Sequence, residues 1–510
     1  MGNKTVRVAT FILSMLFAMA CSSPREKKAV ALFETHCASC HILPSIEDLP
    51  KNIWKEGILP NMAARMGIRD STNDPLEGLR FREQHAILQS GVYPNKPIIS
   101  SDDWKLLENY IITMAPDSLS SKTQSLNIDE LTQFVPKPIN LDNVKGTFIT
   151  FLDFDGQKNS IITGDLKGEL SKYHVVDKKF ESHLNTGQAI SNYIEKDNLA
   201  YITHFGSLNP SEIESGNLQI VDKDSVRQLP FALHRPVHTL IKDLNKDGQE
   251  ELVVSEFGDL TGALTLFSKR EGQAYQKETI LNLPGSIRTI AKDMNNDGKE
   301  DLVTLISQGN ESITILYQQE NLKFAADPVI RFSPVYGTSW FELFDYDGDG
   351  DDDIVTVNGD NADKSYVHKP YHGLRIHINN GENRFEEKFF YPVNGATRLV
   401  ARDFDQDGDM DFGVLSTFPD YSRKPELSFI YLENKNPENF NFKPYTFQDS
   451  KLARWFLMDA ADVDNDGDDD IILSAFSYGF TPVPKNVSEL WKSSDVDVMI
   501  LENRLSQSIK

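Results

Sequence analysis

The chain is poor in cysteine, poor in basic charge and without a long apolar run, and each shortage excludes something. It has three cysteines in 510 residues. No second cysteine pair is present to complete a four-ligand zinc site of the CxxC…CxxC kind. Lysine and arginine number 52 against 76 aspartates and glutamates, a net charge of −24. That balance argues against nucleic acid as a partner, because a phosphate backbone requires a basic face. No stretch reaches the roughly twenty apolar residues of a membrane-spanning helix. There is no GxGxxG loop for the phosphates of a flavin or nicotinamide cofactor.

Two of the three cysteines stand in the pentapeptide CASCH, residues 37–41. Two cysteines two residues apart, followed at once by histidine, form the pattern that attaches c-type haem. On one side of a helical turn, Cys37 and Cys40 would each form a thioether to a haem vinyl, and His41 would ligate the iron as the proximal imidazole. A CxxC alone leaves thioredoxin-like redox chemistry and zinc open. The histidine decides for haem.

The third, Cys21, ends the segment VATFILSMLFAMAC. Lys4 and Arg7 precede an apolar run from Val8 to Ala20 that is too short to span a bilayer. With Ala18, Met19 and Ala20 ahead of it, Cys21 resembles the lipobox cysteine of bacterial lipoproteins. The resemblance implies a signal peptide over 1–20, lipidation of Cys21 and a tether over 21–28. It also implies an exported protein held to the membrane by lipid alone. The residues after Cys21, SSPREKK, lack an acidic run that could direct surface export. The expected anchor therefore faces the periplasm, on the outer membrane rather than the inner.

Residues 29–116 read as one helical unit. ALFETHCASCH runs into the haem motif. SSDDWKLLENYIITMAP carries Trp104, Leu107, Ile111 and Met114 at near-helical spacing, with Ser100 and Asp103 at its start and Pro116 at its end. The unit resembles a class I c-type cytochrome, in which the N- and C-terminal helices cross over the haem. By that resemblance Met62, in LPNM, is the sixth iron ligand, with Met66 or His85 as alternatives. Either methionine also reads as ordinary core packing. The polar, serine-rich residues 117–129 read as a linker.

From about residue 130 an acidic loop recurs: DLNKDGQEE, DMNNDGKED, DYDGDGDDD, DFDQDGDMD and DVDNDGDDD, beginning at 243, 293, 345, 403 and 462. Each puts oxygen side chains at positions 1, 3, 5 and 9 and glycine at 6. A hard cation such as calcium takes about six to eight oxygens, and glycine permits the turn that points them inward. Position 7 would contribute its carbonyl. The expected ligands are Asp243, Asn245, Asp247, Gln249 and Glu251; Asp293, Asn295, Asp297, Lys299 and Asp301; and Asp345, Asp347, Asp349, Asp351 and Asp353. The last two loops supply Asp403, Asp405, Asp407, Asp409 and Asp411, then Asp462, Asp464, Asp466, Asp468 and Asp470. An EF-hand is excluded. Its bidentate glutamate at position 12 is replaced by Val254, Thr304, Thr356, Val414 and Leu473, and a strand follows each loop instead of a helix.

These loops resemble FG-GAP or VCBS repeats, the blade units of integrin-like β-propellers. The spacings, 50 to 59 residues, suit four-stranded blades. Two weaker repeats come first: FITFLDFDGQKNSIITG, which keeps Asp153 and Asp155, and AISNYIEKDNLAYITHFG, which has lost the loop. The expected fold is multidomain: a small all-α class I cytochrome c domain, then an all-β propeller of seven blades over 130–510. The last blade lacks a fourth strand, and residues 130–138 are expected to supply it and close the ring.

Five residues before the first loop aspartate stand His238, Arg288, Trp340 and Arg398, with Arg454 and Trp455 near the corresponding place in the last blade. Basic and aromatic groups around an axial funnel would suit an anionic or carbohydrate ligand. The overall resemblance is to bacterial lipoproteins that join a c-type cytochrome to such repeats. It implies a monomeric electron-transfer protein, with an unidentified redox partner and a calcium-stabilised docking or ligand-binding propeller. One alternative is a haem-coupled sugar or alcohol dehydrogenase, against which stands the lack of a repeated tryptophan docking motif and of vicinal cysteines of the quinoprotein kind. Another is a polysaccharide lyase-like or carbohydrate-binding propeller.

Overall fold

A computed structural model of the chain describes residues 23–69, 74–119, 128–141, 146–223, 225–269, 272–360, 365–477 and 481–505. The expected signal peptide and Cys21 lie outside the described residues, as does most of the linker. No helix among the described residues is long and apolar enough to cross a membrane.

A small helical unit comes first. Helix α1 (Pro24–Cys37) opens on a capping box, in which Ser23 Oγ accepts from the Glu26 N–H and Glu26 reaches back to the Ser23 N–H. Helix α2 (Leu59–Arg65) follows a π-turn at Trp54–Ile58. Helix α3 (Phe81–Ser90) stops at Gly91, whose left-handed φ of 72° ends the helix at no steric cost. Helix α4 (Ser101–Met114) is capped by Ser100 Oγ, which accepts from the Asp103 N–H at 3.1 Å. α1 packs against α4. The periodic residues Trp104, Leu107 and Ile111 meet Phe33, Leu49, Trp54 and Leu59 in one apolar cluster.

The rest is a seven-bladed propeller of antiparallel sheets. The blades span 149–185, 190–228, 236–281, 286–331, 338–392, 396–446 and 455–503. Their first strands pack against one another around the axis. In blades 3 to 7 the second strands, such as Asp301–Ile306 and Asp411–Ser416, are buried at every residue. Both of their faces meet neighbouring blades, which is why they read as continuous apolar runs rather than alternating ones. Burying each such Val, Leu or Ile contributes about 1.5–3 kcal/mol.

The seventh sheet takes its outer strand from Phe134–Ile139, antiparallel to Val498–Asn503. Pro136 and Pro138 sit in this strand at the sheet edge, where a missing N–H is tolerated. Just upstream, Asp129 and Glu130 instead extend the sixth sheet, parallel to Tyr445 and Thr446. The N-terminal strand segment thus straddles the seam between the last two blades.

Every first strand carries a register shift near its start, at Ile149/Phe151, Ile190/Asn192, Pro236/His238, Ser286/Arg288, Thr338/Trp340, Ala396/Arg398 and Trp455/Leu457. A bulge adds local twist and re-aims the side chains beyond it. Here it recurs at the end of each blade where the strand enters the axis.

The helical unit rests on that same end, opposite the acidic loops. Tyr371, in an insertion of the fifth blade, donates from its hydroxyl to the Asp48 carbonyl oxygen at 2.9 Å. Val335 joins the apolar cluster of the helical unit, and Tyr336 stacks on Tyr371 with centroids 5.0 Å apart.

Candidate functional site

In the acidic loops, glycine at position 6 has φ between 84° and 100°, as the turn requires (Gly248, Gly298, Gly350, Gly408, Gly467). Position 4 is left-handed too, at Lys246, Asn296, Gly348, Gln406 and Asn465, a strain that the sequence did not signal. The first aspartate organises the turn. Asp403, for example, accepts from the Asp407 and Gly408 N–H groups, both at 3.0 Å, and Asp243, Asp293 and Asp462 repeat the pattern.

The ninth residue is the buried member. Glu251, Asp301, Asp353, Asp411 and Asp470 are at most 1% exposed. In the last four, one oxygen accepts from the second loop residue and the other from the end of the third strand. For Asp470 the donors are the Val463 and Asn503 N–H groups, at 2.9 and 2.7 Å. This carboxylate therefore closes the loop and also ties it to the sheet.

Three loops bring three carboxylates to within 4.8 Å of one another: Asp345, Asp347 and Asp353; Asp403, Asp405 and Asp407; Asp462, Asp464 and Asp470. In the loops at 243 and 293 the third position is an asparagine. Asn245 turns its amide toward Asp247 at 3.1 Å. Burial, opposed by the backbone donors and aided by the neighbouring acids, pushes Glu251, Asp411 and Asp470 up to about 7 and Asp353 up to about 6. Asp405 rises to about 6 through burial and the Asp407 charge. Glu251 Oε1 and Asp464 Oδ1 are buried without a hydrogen-bond partner. Converging carboxylates with unsatisfied buried oxygens are the donor set of a hard divalent cation, so the residues fit that ion.

The first two blades solve the same turn without such a set. In blade 1, Asp155 accepts from the Gln157 and Lys158 N–H groups, and the Lys158 ammonium lies 3.3 Å from Asp155 and 2.5 Å from Glu195 of blade 2. A lysine thus stands where the other loops gather carboxylates. In blade 2, Asp197 and Asn198 form a two-residue left-handed turn between Ile190–Lys196 and Leu199–His204.

At the axial end the residues following the bulges share one register: Asn192, His238, Arg288, Trp340 and Arg398, with Phe151 and Leu457 completing the ring. The seventh blade contributes Leu457, not Arg454 or Trp455. Those two precede the bulge. Arg454 is 1% exposed and lies over Tyr421 and Trp491, and Trp455 is fully buried and donates to the Ser450 carbonyl oxygen. Trp340 stands between its neighbours' guanidinium groups, with Arg288 at 4.4 Å and Arg398 at 4.7 Å from its centroid. Each such contact contributes about 0.5–2 kcal/mol, depending on desolvation. Glu342, two residues along, accepts from Arg288 Nη1 at 2.8 Å and from Trp340 Nε1 at 3.1 Å. Burial and the Arg288 charge pull His238 down to about 3, so the imidazole is neutral. Further along the axis Asp153 is pushed up to about 6 by burial and the Asp459 charge.

The CASCH motif lies at the end of α1. Cys37 and Met62 are half-buried at the margin of the helical unit's apolar cluster, and Met66 is a buried member of it. His85 is exposed on α3. Burial pushes the Cys37 thiol up to about 11, so an uncharged thioether suits the position. His41 Nδ1 lies 2.8 Å from the Ile42 carbonyl oxygen. A proton on Nδ1 leaves Nε2 as the free lone pair. Leu43, Phe81, Leu88, Ile98 and Met114 leave large apolar surfaces exposed on this small unit. These features fit a covalently held haem.

Among known proteins, no curated sequence matches. A solved structure, YCF48 from Cyanidioschyzon merolae, is similar at 10% identity and a TM-score of 0.39, covering 72% of this chain and 98% of that one. Residues 293–356 match the model of the FG-GAP-like repeat. That stretch runs from Asp293 through the loop at 345 to Thr356, so it takes in two of the five acidic loops. The chain is a seven-bladed β-propeller built with FG-GAP-like repeats, preceded by a small helical unit.

Proposed function

We propose that this protein is an exported, lipid-anchored c-type cytochrome that carries out electron transfer, with its propeller as a calcium-stabilised docking or ligand-binding module. The observation that carries the reading is the CASCH motif at the end of α1, with Cys37 and Met62 at the margin of one apolar cluster and His41 Nδ1 beside a carbonyl. Haem, when bound, supplies one-electron redox chemistry. Cys37 and Cys40 would hold it covalently, His41 would ligate the iron through Nε2, and Met62 is the candidate for the second iron ligand. The apolar cluster around Trp54, Leu59 and Leu107 excludes water. The five acidic loops hold calcium, which offsets the repulsion among their carboxylates.

The docking of the helical unit through Tyr371, Val335 and Tyr336 supports a shared task for the two parts. It brings the redox unit to the face on which the inner strands enter the axis. Expression of the mature chain in bacteria equipped for c-type haem attachment tests the reading. A covalent haem spectrum that disappears in Cys37→Ala/Cys40→Ala, and reversible reduction by a small electron donor, are expected. A chain that leaves that host without covalent haem would sink it. Reduction by an added sugar or alcohol would instead make the propeller a dehydrogenase.

A further inference from the structure

The ninth carboxylates of neighbouring acidic loops are joined by hydrogen bonds that cross from blade to blade. In the loop at 243 the Leu244 N–H donates to Glu251, and the Leu244 carbonyl oxygen accepts from Gln318 Nε2 of the next blade, both at 3.0 Å. The Gln318 N–H in turn donates to Asp301, the ninth residue of the loop at 293, at 2.7 Å. The Met294 N–H donates to Asp301 at 3.0 Å, and the Met294 carbonyl oxygen accepts from Asn383 Nδ2 at 2.6 Å. Asn379 donates from Nδ2 to Asn383 Oδ1 at 3.4 Å and from its N–H to Asp353 at 2.7 Å. The run recurs between the loops at 403 and 462. The Phe404 N–H donates to Asp411 at 3.2 Å, its carbonyl oxygen accepts from Asn503 Nδ2 at 2.8 Å, and the Asn503 N–H donates to Asp470 at 2.7 Å.

Between the loops at 345 and 403 the run stops. Asn434 stands at the place of Gln318 and Asn503, and its N–H likewise donates to Asp411 at 2.7 Å. Its amide, however, turns to the Met410 carbonyl oxygen of its own loop at 3.3 Å and lies beside the Tyr346 phenol. Among the described residues no side-chain amide reaches the Tyr346 carbonyl oxygen. Two other kinds of link fail at the same seam. At the other seams between these loops, the base before one loop pairs with position 8 of the next: Lys242 with Glu300 at 3.1 Å, Lys292 with Asp352, and Arg402 with Asp469 at 3.5 Å. Here the two positions are Phe344 and Met410. Lys246 and Gln406, at position 4, reach the Gly298 and Gly467 carbonyl oxygens of the next loop at 2.7 and 2.8 Å. In the loop at 345 that position is Gly348, which has no side chain. Rings fill the seam instead, with Tyr346 stacked on Phe440 at 5.6 Å.

We propose that the acidic loops take up calcium in two cooperative blocks, those at 243, 293 and 345 as one and those at 403 and 462 as the other, uncoupled across the 345/403 seam. The inference rests on the reading that the loops hold calcium, and adds how occupancy of one loop controls the next. In an empty loop the carboxylates repel one another, so the ninth residue is held less firmly. With the repulsion offset, that carboxylate fixes the position-2 peptide through its N–H. The carbonyl of the same peptide fixes the amide side chain of the next blade. The backbone N–H of that blade's strand end then fixes the next ninth carboxylate where a cation needs it. Binding at one loop thereby lowers the ordering cost at its neighbour, which is positive coupling and is reciprocal. The stacked rings at the 345/403 seam join no carboxylate to the next and carry no such coupling.

The test is equilibrium dialysis of the full mature chain against isotopic calcium, over a range of free concentrations. Asp297→Asn disables the loop at 293. It should remove one ion, weaken two others by about fivefold or more, and leave two at the parent's affinity. Asp407→Asn, in the loop at 403, should remove one, weaken one and leave three. Gln318→Leu and Asn503→Leu break a link without altering a loop residue, so each should weaken uptake within its own block alone. Asn434→Leu loses only a bond within its own blade and should leave the coupling intact. Asn383→Gly tolerates the left-handed φ of 55° and cuts the 293/345 link, so it carries the test if the more buried amides are needed for folding. Loop variants that each remove one ion and change no other, or an equal effect of Asn434→Leu and Gln318→Leu, would overturn the coupling and leave calcium in the loops. Uptake of no calcium by the parent would overturn both.

Discussion

Phe134 pairs with Asn503, so the strand that follows the helical unit completes the last blade. Phe134 is 2% exposed and meets Phe404 and Tyr431 edge to face at 5.6 and 5.4 Å. Asn503 in turn donates to the Phe404 carbonyl oxygen at 2.8 Å. The seam between blades 6 and 7 is therefore held by a ring of contacts around one strand. Phe134→Ala should cost about 3–5 kcal/mol, since it opens a cavity at that seam. The denaturant midpoint measures this. A midpoint equal to the parent's would mean that the strand contributes no closure energy.

The acidic loops invite a test with two signs. Asp405 lies with Asp403 and Asp407 in one carboxylate cluster, and Asp407 already repels it. With calcium present, Asp405→Asn removes a ligand and should lower the melting temperature. In excess chelator the same change removes repulsion and should leave the melting temperature equal or higher. The parent should lose stability on chelation, by about 2.7 kcal/mol per site when the ion is at a hundred times its Kd. Lys158→Ala, in the blade that uses an ammonium instead, should cost under about 1 kcal/mol and be indifferent to chelator, since the pair is half exposed. Melting curves that ignore chelator altogether would remove calcium from the account.

Much of this arrangement was legible because its signals are local. An Asp-x-Asp-x-Asp-Gly loop followed by an apolar strand states its own turn, and the repeat period states the blade. The deficit of one strand in the last blade pointed to residues near 130 because a propeller must close. What sequence could not state depends on register and on partners distant in the chain. Counting five residues back from the loop finds His238, Arg288, Trp340 and Arg398, and the same count in the last blade reaches Leu457. Arg454 and Trp455, chosen by type, lie on the far side of a bulge that leaves no trace in composition. Glu342, which neutralises Arg288, and Lys158, which takes a cation's place, look like ordinary surface charges until the neighbouring blade is in view. The Tyr371–Asp48 contact joins residues 323 apart and had no sequence signal at all.

Stability should fall on both sides of a mildly acidic optimum. Burial, and then the nearby Arg375, pulls His377 down to about 3, and burial holds His372 well below the usual histidine value. Such groups contribute stability that is present above about pH 6.5 and lost as pH falls, because the unfolded chain takes up protons that the native one refuses. Glu311 acts in the opposite sense. It is 2% exposed, and burial pushes its carboxyl up to about 8 despite donors from Thr338 and Gly337. Its contribution is complete below about pH 4.5 and lost as pH rises through about 8. Melting temperatures across this range should show His377→Gln flattening the acid limb and Glu311→Gln the alkaline limb. Parallel profiles for parent and variants would refute the assignment.

The two candidate methionines differ in where they stand, and that difference gives a direction. Met66 is 7% exposed, a full member of the core with Trp54 and Trp104, while Met62, like Cys37, is half-buried at its margin. A side chain that must reach an iron cannot also be enclosed on all sides by its own core, so Met62 is the expected ligand and Met66 the packing residue. Met62→Leu should therefore lower the reduction potential and abolish the absorbance of the thioether–iron bond, with little loss of stability. Met66→Leu should leave both spectrum and potential in place and cost less than about 1.5 kcal/mol, as volume-conserving core exchanges do. Spectra and redox titrations of the two variants decide the matter. A potential that falls with Met66 instead would mean that α2 rotates on haem attachment, turning its buried face outward.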